Sequence, residues 1–153
     1  MRLVLRLPAG WGAETRDGAR TRVAIEPDVS LLVDPLVPFP DDLDAWVRTF
    51  LVRDLPPTWV VDIERREDGT TEVGWPMITF RLQVRDQDEV KERQICVIYR
   101  LLEYLGAVRV RGAPGRWPAI EASLLSVLHS GHPNWSGDGA VCVADLLSLD
   151  GGA

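Results

Sequence analysis

The chain has 153 residues, 46% of them hydrophobic and 26% charged, with a formal net charge of −6. That is enough chain for one domain with a sizeable core, and the balance excludes wholesale disorder. The basic stretches are interleaved with acids, which argues against nucleic acid as a partner, because affinity there comes from neutralising phosphates.

The start, "MRLVLRLPAGWG", has an apolar run broken by Arg6 and too short for a signal sequence. No window approaches the ~18 uninterrupted apolar residues of a membrane span, so the expected location is the cytoplasm. Val4 to Leu7 reads as a short strand, and "GWGAETRDGARTR" as a polar loop. Val23 to Ile25 and Val29 to Val33 are strand-like, interrupted by Pro27, Pro35, Pro38 and Pro40. Proline cannot donate to a sheet ladder, so these strands should be edges or end early.

"PDDLDAWVRTFLVRDLPP" predicts a helix. Leu43, Trp46, Val47, Phe50 and Leu51 form one apolar stripe, and Asp41, Asp42 and Asp44 sit where the helix dipole favours anions. In "TWVVDIERREDGTTEVGW", Val61 and Ile63 oppose Asp62 and Glu64, and Asp68-Gly69 is a hairpin-turn signal. "MITFRLQVRD" alternates cleanly, with Ile78, Phe80, Leu82 and Val84 on one side.

The stretch from Asp88 to Leu105 admits a helix ended by Gly106 or a turn and return strand. On a helical wheel its apolar residues scatter. As a strand, "ICVIY" is the β-branched and aromatic run of a central strand covered on both faces, and "RDQDEVKER" is its exposed turn. "GAVRVRG" alternates again, with Val108 and Val110 opposing Arg109 and Arg111. Strands are the better reading. "RWPAIEASLLSVLHSG" predicts the last helix, with Pro118 at its start, a stripe of Ile120, Leu124, Val127 and Leu128, and Gly131 as the C-terminal cap. The expected architecture is α+β, an antiparallel sheet of about five to seven strands packed by two main helices. It occupies residues 1–135 as a single domain, with 136–153 a C-terminal tail, docked or mobile.

No motif carries catalysis by itself. His129 and His132 are the only histidines, and Ser126 precedes His129 by one helical turn without a nucleophile elbow. His129, His132 and Cys142 lack a fourth zinc ligand, and Cys96 and Cys142 have no disulfide or metal spacing. "RGAPGR" lacks the phosphate-loop lysine. The expectation is a non-enzyme with no cofactor and no metal. Six tryptophans are many for this length, and Trp11, Trp75, Trp117 and Trp135 sit beside Gly or Pro, where large rings cover grooves or anchor partners.

The order of elements, with "ERQICVIYRLLEYLGAVRVRG" as a central strand pair and Trp117, Ile120 and Ser123 opening the last helix, resembles the PsbP/DcrB-like fold. The resemblance covers about residues 21–130, with Arg93-Gln94-Ile95 at the start of the central strand. It implies a mostly non-enzymatic fold. One branch, the Eag-type chaperones of type VI secretion effectors, is similar in length and holds hydrophobic effector segments, commonly as dimers. For this chain the resemblance implies a concave apolar sheet face that shields a client helix.

The reading is a protein-binding adaptor or chaperone-like component of a bacterial secretion or related assembly system, with another protein as partner and a homodimer open. Its expected binding surface is the sheet face of Ile78, Phe80, Leu82, Ile95 and Val97, or its edge with Trp75 and Trp117. The alternatives are an immunity protein whose acidic face, Asp41 to Asp68, blocks a basic toxin, and a small-ligand or metal-binding enzyme using His129 and His132.

Overall fold

A computed structural model of the chain describes residues 2–12 and 14–134. In order, the elements are strands β1 (Arg2–Val4), β2 (Glu14–Asp17), β3 (Arg20–Glu26), β4 (Val29–Val33) and β5 (Val37–Pro38), then helix α1 (Leu43–Val52). Strands β6 (Val60–Thr70), β7 (Pro76–Asp86), β8 (Glu89–Leu101) and β9 (Tyr104–Gly112) follow, then a 3-10 turn at Pro114–Arg116, helix α2 (Trp117–His129) and strand β10 (His132–Asn134). Eight strands make one antiparallel sheet in the order β2-β3-β4-β9-β8-β7-β6, with β5 also on β9, while β1 and β10 pair separately. The class is α+β as expected, with more strands than five to seven.

The stretch from Asp88 to Leu105 is extended, and β8 runs through 13 residues. Its turns are short. Gln87, at φ 55°, and Asp88 join it to β7, and Leu102, at φ 60°, with Glu103 joins it to β9. "DEVKER" is therefore mostly strand rather than turn, and Gly106 lies within β9 rather than capping a helix. Asp68-Gly69 is not a turn either. Gly69 pairs with Met77 inside the β6–β7 ladder, and the chain reverses at Glu72 to Gly74, where Gly74 adopts φ 95°.

Helix α1 begins as its sequence dictates: the Asp42 carboxylate accepts from the Ala45 backbone N–H at 3.1 Å. Its Val47, Phe50 and Leu51 bury against Phe80, Leu82, Cys96, Ile98, Leu105 and Ala107 on one sheet face. The other face carries the larger core, in which Leu124, Val127, Leu128 and Trp117 of α2 and Leu3, Leu5 and Leu7 cover Ile95, Val97, Tyr99, Val108 and Val110. Central β8 is thus apolar on both faces from Ile95 to Tyr99. Gly131 serves packing rather than a left-handed cap: a Cβ there would lie 2.6 Å from Tyr99 Cε1, and the Tyr99 hydroxyl donates to the Leu128 carbonyl at 2.5 Å.

Candidate functional site

The register decides what each face presents. Arg22, Leu32, Arg109, Cys96 and Phe80 lie in one cross-strand row, and Ala24, Ser30, Arg111, Gln94 and Leu82 in the next. Ten-residue α1 covers only part of this face, because a helix rises about 1.5 Å per residue against about 3.4 Å for a strand. Beyond its C-terminal end the face is polar, and among the described residues no helix lies on it.

This bare portion forms a concave groove of about 410 Å3. Its floor is Arg22, Ala24, Ser30 and Leu32 of β3 and β4 together with Arg111 of β9. Ala24 and Ser30 face each other across the ladder, and their small side chains leave the floor low. One rim is the β3–β4 turn at Pro27-Asp28, and the other is Lys91 and Glu92 at the start of β8. Arg111 is held by Glu92 at 2.9 Å, and Lys91 by Glu89 at 2.9 Å. Asp28 and Glu26 face Arg116 at 3.6 Å and 3.8 Å. Among the described residues, the exposed Arg22 guanidinium has no ion pair and no hydrogen bond.

The groove ends at a second cleft, of about 340 Å3, which shares Asp17 and Arg20 with it. Trp46, Val37 and Leu105 wall this cleft, and Asp34, Arg53 and Asp54 stand at its mouth. Asp34 is largely buried: its carboxylate bonds Arg53 at 2.8 Å, and burial pushes its carboxyl above the ordinary range against the pull of Arg53, Arg20 and Arg109.

Between groove and helix sits Arg109, 3% exposed. Its guanidinium donates to Gln94 Oε1 at 2.6 Å, to the Leu51 carbonyl at 3.5 Å and to the Phe50 carbonyl, and it lies 4.6 Å from the Phe50 ring centroid. The last turn of α1 has no basic residue of its own, so the sheet supplies the cation that its dipole and terminal carbonyls favour. Alternation places Arg109 with Arg111 opposite Val108 and Val110, and is silent on its burial beneath α1. The lone signal was Gln94, a polar residue opening an otherwise apolar run.

The expected binding residues lie elsewhere. They do not share one face: Ile78, Phe80 and Leu82 belong to the α1 side, whereas Ile95 and Val97 point to α2. The reason is register, since Ile95 pairs with Arg81 and Val97 with Thr79. Phe80, Leu82, Ile95 and Val97 are buried beneath the helices, and Ile78 is half-buried beside α1. Trp117 is not at an edge but in the core against Gly112, and Trp75 packs on the same core from the β6–β7 turn. Most of the apolar sheet surface is covered by the protein's own helices and the open end over β3, β4 and β9 is polar, while Val60 and Ile63 of edge strand β6 are 42% and 54% exposed.

The remaining candidates also have definite places. His129 is exposed at the end of α2, and the His132 ring lies 3.1 Å from the Ser130 carbonyl. Among the described residues no three His, Cys, Asp or Glu side chains cluster to hold a metal. Cys142 and Trp135 lie outside the described residues. Several carboxylates of the acidic stretch meet arginines. Asp62 pairs with Arg85, Glu64 with Arg93, Asp68 with Arg66 and Asp54 with Arg20. No described helix is long and apolar enough to cross a membrane.

No family model matches the sequence, and no curated protein does. Solved structures do share its fold. The solution structure of cyanobacterial PsbP (CyanoP) from Synechocystis sp. PCC 6803 superimposes with a TM-score of 0.63 at 17% identity, over 83% of this chain and 84% of that one. The fold is PsbP-like. A crystal structure from Pseudomonas aeruginosa, of PA94, a protein of unknown function described as a candidate regulator, has a TM-score of 0.55 at 14% identity, over 88% of this chain and 99% of that one. At such identities the likeness speaks for the PsbP-like sheet and its two covering layers alone, and function has to be read from the groove.

Proposed function

We propose that the protein is a non-enzymatic, cytoplasmic binding module whose ligand is another protein, an adaptor or chaperone-like component of a bacterial secretion or related assembly system. The observation that carries this reading is the bare, concave end of a sheet whose central apolar faces are covered by α1 and α2. The groove is open, broad and lined by charges of both signs from β3, β8, β9 and the β3–β4 turn. Such a lining suits an extended contact with a polypeptide better than enclosure of a small substrate, since small-molecule sites are mostly apolar and enclosed. The mixed charges set register and specificity more than raw affinity. Secretion-system membership rests on the PsbP-like fold together with the resemblance to the Eag-type branch in the sequence.

The test places a photocrosslinking residue at Ala24 or Ser30 in the groove, and at Val73, 64% exposed in the β6–β7 turn at the other end of the sheet, as the control. The protein is co-expressed with the products of adjacent genes. A discrete heterologous adduct from the two groove positions and not from Val73 supports the reading. Adducts equally strong from Val73, or none except a second copy of this chain, would overturn it.

A further inference from the structure

At the end of the sheet away from the groove, the hairpin tip between β8 and β9 departs from ordinary turn chemistry. Leu101 pairs with Tyr104, so Leu102 and Glu103 alone form the loop. Such loops favour glycine, asparagine and aspartate, which tolerate positive φ. Here the first position is Leu102, at φ 60° and 56% exposed, and Tyr104 beside it is 38% exposed. A branched apolar side chain is thus held out in water on a backbone conformation that disfavours it. The tip is anchored, because the Phe39 backbone N–H donates to the Glu103 carbonyl at 2.8 Å. Local departures of this kind concentrate where a surface makes contact.

Beside the tip lies an apolar hollow of about 250 Å3, lined by Phe39, Leu43, Pro76, Ile78 and Ile98, with Arg100 at its rim. The carboxylate on its lining, Asp68, is held by Arg66 at 3.2 Å. Arg100 and Glu103 are both exposed, and among the described residues neither forms an ion pair, although Arg100 lies 4.2 Å from the Phe39 ring centroid. A knob, a hole, an unpaired cation and an unpaired anion therefore stand side by side. A two-fold interface sets one patch against itself, so a knob beside its hole and an anion beside its cation are what it requires. We propose that this end of the sheet is a homodimer interface, in which Leu102 of each copy seats in the hollow of the other and Glu103 of each pairs with Arg100 of the other. The occupant is a second copy because the patch complements itself in shape and in charge. The groove lies at the opposite end of β8 and β9 and stays open in both copies, so the dimer stands independently of the protein-binding reading.

The experiment is sedimentation velocity on the full-length chain from about 2 to about 200 μM, where the parent is expected to dimerise with Kd on the order of 10–100 μM. Leu102→Gly keeps the turn at no steric cost, so its urea midpoint should be no lower than the parent's. It should nonetheless weaken the dimer about tenfold or more, because the knob is gone. Glu103→Arg and Arg100→Glu each set like charges against one another across the two-fold axis, and each should sediment as a monomer. An equimolar mixture of these two variants should recover the dimer. Opposite charges then meet between chains while the charges within each chain stay alike, so a folding defect cannot produce the recovery. A parent that stays monomeric throughout, a dimer that tolerates Leu102→Gly, or a mixture no more associated than its two components would overturn the interface. A self-adduct from the crosslinker at Val73, at the same end of the sheet, would count for the dimer and not against the groove, whose test is heterologous adducts.

Discussion

Replacing Arg109 by leucine strips a buried junction of its donors. The guanidinium is the described donor to the Phe50 carbonyl, the Leu51 carbonyl and Gln94 Oε1, at a site 3% exposed. A buried acceptor left without a donor costs about 1–3 kcal/mol. The Phe50 carbonyl keeps the Arg53 backbone N–H at 3.2 Å, so Gln94 Oε1 is the acceptor chiefly orphaned, and the 3.5 Å contact to Leu51 adds little. Loss of the cation–π contact with Phe50 adds about 1 kcal/mol. Leucine in turn escapes the desolvation of a buried charge, which offsets part of the loss. The net expectation is a destabilisation of about 1–3 kcal/mol, seen as a fall of about 0.5–1.5 M in the urea midpoint. Gln94→Leu in the same chain removes one orphaned acceptor, so the double variant should recover about 1 kcal/mol relative to additivity. A midpoint for Arg109→Leu within about 0.3 M of the parent, or strict additivity with Gln94→Leu, would refute the account of Arg109 as the cation that fixes the C-terminal end of α1.

Asp34 gives a pH test. Its carboxyl is raised above 3.8 by burial, with Arg53, Arg20 and Arg109 opposing the rise. The folded chain therefore holds this proton to higher pH than the unfolded chain, and stability from this group is present at low pH and is lost as pH rises through the folded value. Urea midpoints of the parent and Asp34→Asn, compared from pH 7 down to 4, should shift in the parent's favour as pH falls, and the opposite slope would contradict it. Burial pushes the Cys96 thiol up to about 11, so in a Cys142→Ser background the native protein should not react with a disulfide reagent at pH 8 until urea is added. Rapid native labelling would count against that burial. Gly131→Ala drives a Cβ to 2.6 Å from the Tyr99 ring and should cost about 1–3 kcal/mol, lowering Tm by about 3–10 °C. An unchanged Tm would show that Tyr99 yields freely.

Elements with a strong local pattern were legible. The stripe from Leu43 to Leu51 is the buried face of α1, and the β-branched run at Ile95 is the doubly covered part of β8. What escaped was set at a distance. Strand β2, Glu14–Asp17, is mostly exposed and shows no alternation, and β10 is held by its partner β1 rather than by composition. Asp68-Gly69 has turn chemistry, but pairing with β7 carries β6 past it. Alternation orders side chains within a strand and is silent on register between strands, so Ile95 and Val97 were grouped with Ile78. The groove and cleft left no contiguous signal, since their linings come from strands far apart in the chain.

The sheet's connectivity has a consequence for how the chain acquires its shape. Strands β6 to β9 are joined by short reversals and can pair as they are made. Strand β4, by contrast, joins the sheet through β9, with Val33 opposite Val108, and Leu3 of β1 waits for Pro133 of β10. The N-terminal hairpins thus complete last although they are synthesised first. Until β9 is in place, Leu31 and Val33 lack the neighbours that bury them, and loop closure over that span is slow relative to local hairpins. Refolding should accordingly be biphasic, with protection of β7 and β8 amides ahead of β3 and β4, and the interval between the phases is when the chain is most exposed to aggregation.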